Sequence, residues 1–121
     1  MTTASGHTQA IQATRVLGTA VYNTAGESIG TIEDIMLEKT SNGIMFAVIG
    51  FGGFLGIGEK FHAVPWSVLD YDVERGGYVV PFSREELEAA PSYSIEDLSR
   101  DDGMSARAAS YEYYKVEPYW S

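Results

Sequence analysis

Cysteine is absent from this 121-residue sequence. That removes disulfide frameworks, thiol catalysis and thiolate metal sites together, and it fits a reducing compartment. Basic residues are scarce: eight Lys and Arg stand against seventeen Asp and Glu, for a formal net charge of −9. Nucleic-acid binding rests on clustered Lys and Arg. Here the eight are scattered, so no direct nucleic-acid partner is expected. The same charge disfavours adsorption to anionic membranes. It suits a basic patch on a partner protein, or solubility alone. No apolar run approaches the roughly 18 residues of a membrane span. The opening stretch, Met1 to His7, has neither a positive region nor an apolar one, so it does not read as a signal peptide. The expected location is cytoplasmic.

What is present is ordinary for one globular domain. The hydrophobic fraction is 45%, too high for a disordered chain, and the length suffices to bury a core without disulfides or metal. Thirteen glycines with few long helical patterns lean toward β structure rich in turns.

Residues 1–14 are small and polar and read as an arm. Residues 16–22 read as a first strand, followed by a turn at residues 23–26. A second strand covers 28–39, with Ile29, Ile32, Ile35 and Leu37 as its apolar positions. Its steps of three break strict alternation, which predicts a bulge near Glu33-Asp34. Asn42-Gly43 then signals a type I′ hairpin. The third strand, 44–51, is apolar on both sides: Ile44, Phe46 and Val48 on one, Met45, Ala47, Ile49 and Phe51 on the other. Such a strand is covered on both faces. One face lines a barrel, and the other needs a helix, an arm or a second chain. A glycine-rich loop follows at 52–60, then short strands at 61–64, 68–72 and 78–82. Six short strands bounded by turn residues predict a small barrel.

Beyond residue 82 the pattern turns helical. Ser83 and Glu86 have the spacing of a capping box, and the helix they open should stop before Pro91. Ser94 resembles a second cap. Met104 to Tyr114 favours a third helix. The end carries Tyr111, Tyr113, Tyr114, Tyr119 and Trp120, which are expected to dock, since exposed aromatics are costly in water.

The run Leu17-Gly18-Thr19-Ala20-Val21-Tyr22, with Gly26-Glu27-Ser28-Ile29-Gly30 and Thr31-Ile32-Glu33-Asp34, resembles the PRC-barrel domain family. Gly56-Ile57-Gly58-Glu59-Lys60 and Val64-Pro65-Trp66 extend the match, which covers residues 15–82. The ending Tyr113-Tyr114 and Pro118-Tyr119-Trp120 looks like the tail of stand-alone bacterial members. The resemblance implies a mainly β fold, a six-stranded barrel, here with short C-terminal helices and an aromatic tail over 83–121. Its relatives include the cytoplasmic domain of the photosynthetic reaction-centre H subunit and the C-terminal domain of a ribosome maturation factor. Both work by contacting other macromolecules, so the resemblance implies binding, no enzyme and no catalytic residues. This chain lacks the membrane helix of the one and the N-terminal domain of the other, so their specific functions do not transfer.

The remaining constellations have plain readings. The glycine loop lacks the Gly-Lys-Ser/Thr of a P-loop, carries Leu55 where a dinucleotide motif needs glycine, and leads into a strand. Its Phe54, Leu55 and Ile57 either pack on the core or form an interface. Asp70, Asp72 and Glu74 alternate as calcium ligands do, but Arg75 and Pro81 stand where that loop needs glycine and glutamate. A solvated hairpin is the simpler reading. His62 has no nucleophile or second ligand near it in sequence and reads as a half-buried polar residue. Trp66 reads as a core plug. No catalytic, metal or cofactor residue is assigned, and no cofactor is expected.

The leading reading is a non-catalytic, self-associating protein-interaction or adaptor module, expected to be a homo-oligomer. Its candidate contact residues are Phe51, Phe54, Leu55, Ile57, Tyr113, Tyr114, Tyr119 and Trp120. The alternatives are an accessory factor in RNA processing or ribosome assembly, and a small-ligand binder or unrecognised enzyme using His62 or the acidic turns.

Overall fold

The computed structural model describes residues 10–50 and 61–120, which form six strands and four α-helices. The chain opens with a helical turn, α1 (Ala13–Val16). Strands β1 (Ala20–Tyr22), β2 (Ser28–Glu38), β3 (Gly43–Gly50), β4 (Phe61–Val64), β5 (Asp70–Asp72) and β6 (Gly77–Val79) follow. Then come α2 (Arg84–Ala89), α3 (Ile95–Ser99) and α4 (Met104–Tyr114).

The expected first strand is therefore shorter than residues 16–22. Gly18 takes φ +85°, a left-handed conformation that interrupts an extended chain. Val16 ends the helical turn with its side chain in the core. The six strands form one sheet in the order β4-β3-β2-β1-β6-β5. All neighbours are antiparallel except β1 and β6, which run parallel. The six-stranded expectation holds, but the sheet is not closed, and β4 and β5 are its two edges. They are joined in sequence by a 3-10 turn, Trp66–Val68, which replaces the start of the expected fifth strand. Trp66 is half-buried there, packed on the core with its ring 5.5 Å from that of Tyr78, so it borders the core more than it plugs it.

The register of β2 on β3 shifts between Ile32 and Asp34, the position where the broken alternation predicted a bulge. A second shift lies between Met36 and Leu37. Met36 pairs with Phe46 and Leu37 with Ile44, leaving Met45 as the extra residue. Met45 consequently packs with Phe46 and Val48, and does not join Ala47 and Ile49 as strict alternation required. The hairpin also departs from a two-residue type I′ turn. Asn42 alone is left-handed, at φ +61°, and its N–H donates to the Glu38 carbonyl at 2.9 Å across a longer loop.

β3 is buried on both sides, and each side has its own core. Val21, Ile29, Ile32, Ala47, Ile49 and Val64 pack with Leu87 of α2 and Tyr114 of α4. Met45, Phe46, Val48 and Ala63 pack with Leu98 of α3 and Ala106 of α4. The cover required by an apolar strand is thus supplied by the chain's own C-terminal helices. α2 begins with the expected capping box: Ser83 Oγ accepts from Glu86 N–H at 3.1 Å, and Glu86 Oε1 accepts from Ser83 N–H at 2.8 Å. Ser94 caps α3 without the reciprocal bond: its Oγ accepts from Asp97 N–H at 3.1 Å. Among the described residues, no helix is long and apolar enough to cross a membrane.

Candidate functional site

α4 starts after an abrupt bend. Asp101, Asp102 and Gly103 take left-handed φ values of +51°, +59° and +79°. Gly103 is confined as well: a Cβ there would lie 3.1 Å from Met36 Cε and 3.4 Å from Phe46 Cζ. Glycine is the residue that meets both demands. α4 ends at Lys115, also left-handed, where Val116 N–H donates to the Tyr111 carbonyl at 3.0 Å. This reversal sends the tail back across the helix.

Arg107 fastens the tail. It is only 8% exposed, and its guanidinium carbon lies 3.9 Å from the Trp120 ring centroid and 5.4 Å from that of Tyr119. Nη1 donates to Tyr119 Oη at 2.8 Å and to Glu38 Oε2 at 3.3 Å. Glu38 also accepts from Ser41 Oγ at 2.8 Å and Tyr119 Oη at 3.3 Å. The Ser41 hydrogen bond, with Arg107 and Tyr119 adding to it, holds the Glu38 carboxyl below its ordinary pKa. Tyr111 completes the cluster, with ring centroids 4.8 Å from Trp120 and 5.9 Å from Tyr119, and its hydroxyl donates to the Met45 carbonyl at 3.2 Å. The rings meet edge-on or tilted, as aromatic quadrupoles favour. Burial raises the pKa of the Tyr111 hydroxyl.

Beside this cluster an open groove of about 710 Å³ runs along α4. Ser105, Ala108 and Ala109 line its helix side, and Val116, Pro118 and Trp120 line its tail side. Tyr119 and Trp120 remain 42% and 38% exposed although their rings are held in place. Tyr119 and Trp120 thus combine a fixed position with exposed apolar area.

The other expected contact residues are distributed differently. Tyr114 is buried in the main core, its ring 4.5 Å from Phe82. Tyr113 is half-buried and its hydroxyl donates to the Glu86 carbonyl at 2.6 Å. Phe51, Phe54, Leu55 and Ile57 lie outside the described residues. Arg107 and Glu38, which position the tail, were not singled out in the sequence. Arg107 and Tyr111 share a helix face at four-residue spacing, a weak signal. Glu38 is 69 residues from Arg107, and no local pattern joins them.

The remaining candidates offer little chemistry. His62 is 1% exposed, more deeply buried than expected, with the Pro91 backbone as a polar neighbour. Burial depresses its pKa to about 4, so it is neutral at physiological pH. In the β5–β6 turn, Asp72 Oδ1 accepts from the N–H groups of Glu74 and Arg75, at 3.0 and 3.1 Å. Arg75 Nε also pairs with Asp72 at 3.4 Å. That carboxylate is organising its own turn. Among the described residues, no three His, Cys, Asp or Glu side chains are grouped to hold a metal ion.

The PRC-barrel domain family model matches residues 9–87. No curated protein matches the chain. Among solved structures, the chain is similar to RimM of Pseudomonas aeruginosa, described as a "putative 16S ribosomal RNA processing protein". The two are 14% identical with a TM-score of 0.41, over 65% of this chain and 48% of the other. The chain thus spans about half the length of that structure.

Proposed function

Because the chain belongs to the PRC-barrel domain family, we propose that it is a non-catalytic protein-interaction module whose contact surface is α4 and the C-terminal tail. The observation that carries this reading is the exposure of Tyr119 and Trp120 while Arg107 holds them fixed. An aromatic ring fixed before binding loses little conformational entropy on contact, which favours its use as an anchor. The burial of His62, the one histidine among the described residues, supports a role without catalysis. Self-association through Phe51, Phe54, Leu55 and Ile57 and a cytoplasmic location belong to the same proposal.

The test is capture of partners by the tagged chain, with a Tyr119→Ala/Trp120→Ala double variant in parallel. A partner retained by wild type and lost from the folded double variant supports the reading. Capture that ignores the double substitution overturns the assignment of this surface. Sedimentation velocity tests self-association separately: Leu55→Asp should lower the assembly state, and a monomeric wild type would remove that part of the proposal.

An accessory role in RNA processing or ribosome assembly is the second reading. The net charge of −9 favours a ribosomal protein over RNA as its direct contact. Failure to co-sediment with ribosomal subunits at any salt concentration would exclude it.

A further inference from the structure

We propose that the groove between α4 and the tail is a docking site for a basic amphipathic helix of a partner protein. This rests on the reading of α4 and the tail as an interaction surface, and adds the partner's chemistry.

The shape of the groove favours a helix. Ser105, Ala108 and Ala109 recur at helical spacing on its floor, and none projects beyond a single heavy atom from its Cβ. Small side chains let a second helix approach to the roughly 8–10 Å axial separation of packed helices. The small floor spans Ser105 to Ala109, and Tyr111, Glu112 and Lys115 carry the lining on to the end of the 11-residue α4. At 1.5 Å per residue α4 is about 16 Å long, or three turns, enough for several anchor positions of an amphipathic partner. Val116, Pro118 and the partly exposed Trp120 supply an apolar wall. A peptide adding as a strand would need unpaired backbone groups, and a helix keeps its own N–H and C=O groups bonded internally.

Charge selects the sign of the partner. Asp101 and Asp102 lie exposed before the start of α4, and Glu112 and Glu117 lie exposed toward its other end. Glu112 and Lys115 are the charged lining residues, and Asp101, which accepts from the N–H and Oγ of the lining Ser105, adds a second carboxylate at the start of the groove. The whole chain carries −9. A helix with an apolar stripe flanked by Lys and Arg complements this surface, and the flanking charges would speed encounter. A second copy of the chain brings the same negative charge and is the poorer occupant.

The full chain should be titrated with labelled synthetic helices of about 18 residues, or five turns. One carries a leucine stripe flanked by lysines, one the same stripe flanked by glutamates, and one the lysine composition with the stripe scrambled. The lysine helix is expected to bind at least about tenfold more tightly than either control, and less tightly as salt is raised. Ala108→Arg, which fills the floor and adds a positive charge, should weaken it by about tenfold while an unchanged melting temperature reports an intact fold. Trp120→Ala tests the wall independently. Equal binding of the scrambled or glutamate helix, or no effect of Ala108→Arg in a folded variant, overturns the proposal. So does an oligomer that Ala108→Arg dissolves without any helix binding. If wild type refuses all three helices but Trp120-dependent partner capture persists, the helix proposal falls and the interaction reading stands. Loss of both removes both.

Discussion

His62 ties folding stability to pH through its burial, which outweighs the opposing effect of the Pro91 backbone. Its pKa is about 4 in the folded chain against an ordinary 6.5. Between those values the unfolded chain binds a proton that the folded chain refuses. Stability from this group is therefore full above about pH 6.5 and is lost as pH falls toward 4, at most about 3 kcal/mol in total. Denaturation midpoints should fall from about pH 7 to about pH 5, and His62→Gln should flatten that slope. Glutamine keeps a polar side chain at that position but does not titrate. Glu38 acts in a lower window, since its depressed pKa keeps its contribution intact until pH falls below the ordinary carboxyl value of 4.5. Tyr114 presents the opposite case, a polar atom that gains nothing evident from its position. Its hydroxyl is buried with no hydrogen-bond partner among the described residues. Tyr114→Phe keeps the ring contact with Phe82 and removes a desolvated hydroxyl, so thermal melts should show a gain of about 1 kcal/mol.

Arg107 joins three elements: α4, the end of β2 through Glu38, and the tail through Tyr119 and Trp120. Arg107→Ala should cost about 2 kcal/mol from lost packing and cation–π contact, and should shift Trp120 fluorescence to the red as the tail releases. Arg107→Lys should rescue little, because an ammonium lacks the planar face that stacks on Trp120. Strand pairing has a comparably sharp test. A Cβ on Gly77 would lie 2.5 Å from the Ala20 carbonyl oxygen, so Gly77→Ala should destabilise by about 2 kcal/mol in chemical denaturation. These elements also separate what the sequence could reveal from what it could not. The Ser83–Glu86 box, the Ser94 cap and the extent of α4 were legible because each is set by residues within a few positions. The first bulge was legible because it broke a visible alternation. The second was not, since an all-apolar strand hides the shift that sends Met45 to the other face. Residues 16–22 read as a strand because Gly18 gave no sign of its left-handed backbone. The aromatic tail was legible as composition, but its fastening depends on a carboxylate 69 positions away.

The sheet has an apolar requirement on both faces, and one chain meets it only by keeping its C-terminal helices in place. Leu87 and Tyr114 close one core, while Leu98 and Ala106 close the other. The sequence announced the need for a cover on strand three and left its source open among a helix, an arm and a second chain. The helices beyond residue 83 provide it, so the segment that follows the family match at residue 87 is continuous with the core. Truncation after Gly103 should then expose Met45, Phe46 and Val48, together with the pocket that Tyr114 fills. Apolar area of that kind either drives association or leaves side chains without fixed partners. The shortened chain is expected to bind a hydrophobic dye, lose its near-ultraviolet circular dichroism and elute as aggregates, while the full chain does none of these. A truncated chain that stays monomeric with a cooperative melt would show that the sheet tolerates an open face. The C-terminal segment would then be a detachable interaction arm, and the fixed geometry of Trp120 would have to be explained by its partner instead of by the core beneath it.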